Sequence, residues 1–328
     1  MSGKPTRVSV WILGGLVLAL IAGGTWWIRP SRAAATPTIA FIPQTAGAML
    51  WEVEHFGAMA AAGNVKCHLY WNAPTSESDM AGQISLVDKV GRGKYQGLVL
   101  APNHTLGIRA PLSRAVAAGL PVVIVSADLD LPASRKLAYI VNDDEKMGEL
   151  AAAELARQIH GKGDIALIGL ARFAPGITSR VRAAERVLSS RFPGIHVVNR
   201  GIGAYNISRV ETLTNAALDS NPGLSAVLSF TAVSTRGVYS VLKTRSLQRS
   251  VTLVGCEQDS DLIGYLANGE IAAIVAENTY RMGYEAVGLI SGAWVGRPMP
   301  ARSMVPPFLI TKQNLNSAEA GIFTSFPK

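Results

Sequence analysis

The chain has 328 residues, 48% of them hydrophobic and 16% charged, with a formal net charge of +8. That length suits one large domain or two medium ones, and the apolar content supports a sizeable core, which excludes a disordered chain. The only cysteines, Cys67 and Cys256, exclude a disulfide framework and offer no zinc-ligand spacing.

The first element is apolar. Lys4 and Arg7 precede the uncharged run VSVWILGGLVLALIAGGTWWI over 8–28, and Arg29, Pro30, Ser31, Arg32 and three alanines follow it. A basic start, an apolar core and an Ala-x-Ala-like end describe a secretory signal. The run is also long enough to cross a bilayer as a helix, with Trp26 and Trp27 at the interface. Residues 1–35 are therefore a cleaved signal peptide or an uncleaved N-terminal anchor in the inner membrane. Either reading puts the rest of the chain in the periplasm or another extracytoplasmic space. The leader's four basic residues supply half of the net charge, so the basic balance is a topology signal and not a nucleic-acid footprint.

From residue 37 onward, short β-favouring runs alternate with amphipathic stretches. Strands are expected over 38–43, 67–71, 97–101, 121–126 and 137–141, then over 164–169, 196–201, 226–229, 252–255 and 272–276. Helices are expected over 50–63, 83–91, 108–118, 146–160, 180–192, 208–220, 233–245, 258–268 and 280–295. Such alternation makes βαβ units with parallel sheets covered on both faces. Five strands before Asn142 and a fresh set after it divide the chain into two similar α/β lobes. The fold class expected is two Rossmann-like, doubly wound parallel-sheet lobes preceded by the apolar helix. The first lobe would span 36–141, completed by 277–300. The second would span 142–276, completed by 301–315, with a tail over 316–328. Cys67 and Cys256 fall in different lobes and read as free buried thiols.

Open α/β sheets bind ligands beyond the carboxyl ends of their strands, so residues just past strand ends are the candidates. Asp128 closes the run VVIVSADLD; it either caps a turn or accepts hydrogen bonds from adjacent hydroxyls, as a sugar diol requires. Thr178 or Ser179 can cap the next helix, which puts Arg180 in its first turn, where the helix dipole disfavours a cation. That cost calls for a compensating partner, a ligand oxygen or a carboxylate. Thr231 either caps a helix or meets a ligand, Glu257 starts a helix at a strand end, and Glu277 stands at a lobe crossover. Trp51, one turn into the first helix, is a core residue or a platform for a sugar ring. The chain lacks a GxGxxG or Walker loop, a GxSxG elbow and HExxH spacing. No catalytic set, cofactor or metal follows from the sequence, and the expected class is a binding protein, not an enzyme.

These stretches together resemble the periplasmic sugar-binding proteins of the ribose-binding type. The resemblance covers about residues 38–315. It is carried by TIAFIPQTAGAMLWEVEHFGA, GLVLAPN…AAGLPVVIVSAD, YIVNDDEKMGELAAAELA, TSRVRAAERVL, AVLSFTAVSTRGVYSVL and VTLVGCEQDSDLIGYLANGEIAAIVAENTYRMGYEAV. It implies two lobes joined by a three-strand hinge, closure around one small ligand, often a monosaccharide, and delivery to an ABC-type permease. By position it implies ligand contacts at Trp51, Asp128, Arg180, Thr231, Glu257 and Glu277. Ala48 and Leu129 stand where ribose binders carry Asn and Arg, and Thr231, Glu257 and Glu277 replace Asn, Asp and Gln. These departures point away from ribose, toward another sugar or polyol or a ligand with a positive group. The same fold serves lactose-repressor-type regulators, but the apolar leader occupies the place of their DNA-binding segment. The alternative role is a membrane-tethered sensor signalling to a histidine kinase or other membrane partner.

Overall fold

The computed structural model describes residues 36–46, 49–76, 78–171 and 174–324. The apolar leader and Ala48 lie outside the described residues. Among the described residues, no helix is long and apolar enough to cross a membrane.

The chain runs β1 (Thr38–Ile42), α1 (Met49–Val65), β2 (His68–Trp71), α2 (Met80–Arg92), β3 (Gly97–Leu100), α3 (Arg109–Ala117), β4 (Val122–Val125) and β5 (Leu137–Asn142). It continues through α4 (Asp144–Gln158), β6 (Lys162–Leu170), α5 (Pro175–Arg191), β7 (Gly194–Ile202), α6 (Ile207–Ser220), β8 (Ala226–Ser229) and α7 (Ala232–Thr244). It ends with β9 (Thr252–Cys256), α8 (Ser260–Ala267), β10 (Ala273–Ala276), α9 (Thr279–Trp294), β11 (Arg302–Val305), β12 (Phe308–Thr311) and α10 (Ala318–Thr324).

Two six-stranded sheets form, in the orders β11-β5-β4-β3-β1-β2 and β12-β10-β9-β8-β6-β7. All pairs are parallel except β10 with β12. Alternation explains why the central strands read as unbroken apolar runs. In β4, Val123 and Val125 enter the cluster on one face of the first sheet, and Val122 and Ile124 enter the cluster on the other. In β10, Ala273 and Val275 face one way and Ile274 and Ala276 the other. Each fully buried Val or Ile contributes about 1.5–3 kcal/mol, so two-sided burial holds the centre of each lobe.

The chain passes between the lobes three times: from β5 to α4, from β10 to α9, and from β11 to β12. The sequence boundary at 301 does not match the last crossing. Strand β11 pairs with β5, so the chain stays in the first lobe until Pro306–Pro307. Strands β11 and β12 were not expected at all. Each is four residues long and at a sheet edge, and Met304 is 55% exposed, so no buried periodic run announces them.

The lobes repeat each other position by position. Ser126 and Glu257 follow β4 and β9, both in the left-handed region at φ 60° and 65°. Both donate their amide to the neighbouring strand, at Ile140 O (3.0 Å) and Val275 O (2.9 Å). Helix α9 packs along α1, and α4 along α5. At both crossings a glycine, Gly283 or Gly148, lets the backbones touch; a Cβ there would overlap the carbonyl of Glu54 or of Arg180. Glu54 and Arg180 therefore hold equivalent places in the two lobes.

Candidate functional site

The first two crossings leave from the carboxyl ends of β5 and β10 and enter the next helix directly, through the caps Asp143 and Asn278. The carboxyl ends of both sheets consequently meet at the hinge. On the second lobe's side, the chain past β8, β9 and β10 supplies Phe230, Glu257 and Glu277 in a row, and α5 brings Arg180 over them.

Arg180 is 4% exposed. Its Nε donates to Asp144 Oδ1 at 2.6 Å, and its Nη2 to Glu277 Oε1 at 2.6 Å. Its Nη1 donates to Glu257 Oε1 at 2.7 Å and to the Phe230 carbonyl at 3.0 Å. Burial works against the guanidinium charge, but Glu257, Asp144 and Glu277 outweigh it and hold its pKa well above the usual arginine value. The second oxygen of Glu257 accepts from the Ala232 amide at 3.0 Å. Gln258 fixes the Glu277 backbone in both directions, donating to its carbonyl and accepting from its amide at 2.9 Å each.

One cation thus faces three carboxylates. Glu277 is the most buried of the three; burial pushes its pKa up to about 7 against the pull of Arg180, with Glu257 and Asp144 adding to the rise. Asp144 and Glu257 keep 22% and 25% of their side-chain surface open and are the accessible acceptors. The left-handed backbone of Glu257 is an uncommon state for a side chain of this size, and it turns the chain at the end of β9. Burial keeps the neighbouring Cys256 thiol neutral, its pKa pushed up to about 12.

Of the six residues expected at the site, the structure brings Arg180, Glu257 and Glu277 into direct contact. Thr231 lies between Phe230 and Ala232, but its hydroxyl is committed. It caps α7 in a reciprocal box with Ser234 and donates to the Ala204 carbonyl at 2.7 Å. Trp51 is 3% exposed and packs in the core with Phe41 and Val99.

Asp128 is not brought into the group. No helix separates β4 from β5, so residues 126–136 must run back along the sheet to the start of β5. Asp128 lies on that return. It accepts the Asp130 amide at 2.9 Å and pairs with Arg302 of β11. Leu129, on the same return, is fully buried beside Ile124 and Leu137. Ser126 is the residue that occupies the end of β4.

One member of the site went unseen in the sequence. Asp144 was given no role, because it lies just before the helix expected over 146–160. A second residue near the site, Tyr205, three positions past β7, is 69% exposed, with no hydrogen bond to the group among the described residues. Its signal was its place after a strand end. The start of α5 also differs from expectation. Pro175 opens the helix, as its fixed φ favours, so Arg180 sits in the second turn and not the first. The compensating partner that its charge required is nevertheless there, as carboxylates.

A family model described as "Periplasmic binding protein domain" matches residues 39–298. The D-allose-binding periplasmic protein of Escherichia coli (strain K12) is 23% identical over 228 residues, covering 67% of this chain and 73% of that protein. A carbohydrate transporter solute-binding protein from Agrobacterium radiobacter, solved in complex with D-arabinose, superposes with a TM-score of 0.76 at 22% identity. The match covers 89% of this chain and all of that one. A periplasmic solute-binding protein of an ABC transporter from Actinobacillus succinogenes 130z, solved with bound D-allose, gives a TM-score of 0.77 at 19% identity, over 85% of this chain and 98% of that one.

Proposed function

The chain belongs to the periplasmic binding protein family, and from that premise we propose that it is an extracytoplasmic solute-binding protein for a sugar-like ligand, serving an ABC-type importer. The observation that carries this reading is the collection of Arg180, Glu257 and Glu277 at the carboxyl ends of adjacent strands, where the two sheets meet. Carboxylates accept from vicinal hydroxyls and a guanidinium donates to ring and hydroxyl oxygens, so this set matches a polyhydroxylated molecule. Arg180, Glu257 and Glu277 would be the polar contacts, with Asp144 beside them. Tyr205 would offer a ring face at the rim, and Thr231 would hold the start of α7 in place. Trp51 would form the apolar wall behind the site. Binding would close the lobes about the three crossings, and the importer would read the closed form. Holding and releasing a solute needs no group that reacts.

Thermal unfolding of the chain without its leader, in the presence of aldopentoses, aldohexoses, polyols and amino sugars, tests this reading. D-Allose and D-arabinose belong in the panel because related proteins bind them. A ligand at a hundred times its Kd adds about 2.7 kcal/mol, which raises the midpoint by roughly 5 °C or more for a chain of this size. A panel without any shift contradicts the sugar assignment.

A further inference from the structure

The equivalence of the two lobes exposes a second polar group at the hinge. At the place that Arg180 holds in the second lobe, the first lobe carries Glu54. It is fully buried, and neither carboxylate oxygen has a hydrogen-bond partner. Aligned on the caps Asp143 and Asn278, the counterparts of Glu277 and Asp144 are Asn142 and Thr279. Asn142 Oδ1 and Thr279 Oγ1 are likewise buried and unpartnered. Helix α1, strand β5 and helix α9 thus each carry a buried side-chain oxygen without a hydrogen-bond partner.

A fully buried carboxylate without a partner is among the costliest groups to keep ionised, and it takes up a proton instead. Among the described residues, the charged group that bears on Glu54 is Glu277. On α9, Arg281 pairs with Glu285, and Tyr284 accepts from Asn64. On α1 itself, Glu52 acts on His55. The strands beneath present Phe41, Val99, Val123 and Val125. Burial, then the Glu277 charge, raises the Glu54 pKa well above the ordinary glutamate value.

We propose that Glu54 is a proton-binding residue of the hinge: fully buried and with no donor for either oxygen, it is held as the uncharged acid. The Glu277 charge strengthens the hold of Glu54 on its proton, so a hinge opening that draws the two apart would loosen it. The consequence, which rests on the ligand-binding reading above, is that solute is held more tightly at acidic than at alkaline pH. The test needs no ligand and stands apart from that reading.

Infrared spectra of wild type and Glu54→Gln at pH 7 are compared for the carbonyl stretch of a protonated carboxylic acid. Thermal midpoints of both are followed from pH 5 to 8.5. The sign follows from linkage: an acid whose folded pKa is raised favours the fold below its unfolded pKa, and that stability is lost as pH rises toward the folded value. Wild type should show a protonated band that the variant lacks. Its midpoint relative to the variant should fall by about 4 °C or more across the range. Glu277 titrates in both proteins, so the difference isolates Glu54. Glu54→Met, uncharged and of similar length, serves the same subtraction should the glutamine variant not fold. A band unchanged by the substitution, with a midpoint difference flat in pH, overturns the proposal. So does a wild-type midpoint that rises with sodium or potassium over choline and loses that rise in the variant, because the missing donor is then a metal cation.

Discussion

Replacing Arg180 by methionine should lower the thermal midpoint by about 10 °C at pH 7 and abolish solute binding. The side chain removed is 4% exposed and neutralises three carboxylates within 2.6–2.7 Å. Breaking a buried ion pair by deleting one partner costs about 3–5 kcal/mol, because the partner left behind keeps its burial and loses its compensation. Here three partners are left. Glu277, the deepest, takes up a proton most readily, so the loss should shrink as pH falls from 7 to 5. A double variant that also carries Glu277→Gln should recover part of the stability, since it removes one of the stranded charges. Calorimetric unfolding of wild type, both single variants and the double variant, at both pH values, measures each part. Equal losses at the two pH values would show that Arg180 acts through packing and not through charge.

The second large effect comes from a residue with no side chain. Gly148 lets α4 lie against the Arg180 carbonyl, and a Cβ there would overlap backbone that cannot move alone. Gly148→Ala should therefore push α5 outward and pull Arg180 away from Asp144, which is anchored on α4. Overpacking of this kind costs about 1–3 kcal/mol, and displacement of the arginine should weaken solute binding by tenfold or more. Gly63→Ala is the control. It lies in a helix with nothing within 4 Å of the added carbon, so it should be neutral or stabilise by up to about 1 kcal/mol. Midpoints and affinities of the two variants, measured side by side, separate the specific contact from the general effect of alanine for glycine.

The alternation of strands and helices was legible because both faces of each sheet are buried. Runs such as VVIV in β4 and AIVA in β10 have no other home in a chain of this composition. The two-lobe division was legible for the same reason, from the fresh set of strands after Asn142. Contacts that depend on where the chain turns were not. Asp128 stood two residues past an expected strand end over 121–126, but β4 stops at Val125 and the chain turns back at once. Trp51 and Thr231 carried both a structural and a ligand reading in the sequence, and geometry gives each a structural task. Glu54 left a trace that sequence reasoning passed over. Its spacing from Trp51 and Ala58 puts a charge within the buried stripe of α1. Three-dimensional equivalence with Arg180 was needed to give that charge a meaning.

Isothermal titration of the best sugar from the thermal panel into wild type, Glu257→Ala and Asp128→Ala tests the central claim most directly. Glu257 accepts from Arg180 with one oxygen and keeps a quarter of its side chain open, whereas Asp128 is tied to Arg302 on the chain's return along the sheet. Wild type should bind one molecule with saturable heat. Glu257→Ala should weaken binding by thirtyfold or more, the loss of about 2 kcal/mol expected for a charge-assisted hydrogen bond. Asp128→Ala should stay within about twofold of wild type, as befits an exposed pair. Unchanged affinity in Glu257→Ala, or a loss confined to Asp128→Ala, would place the ligand somewhere other than at the strand ends where Arg180, Glu257 and Glu277 meet.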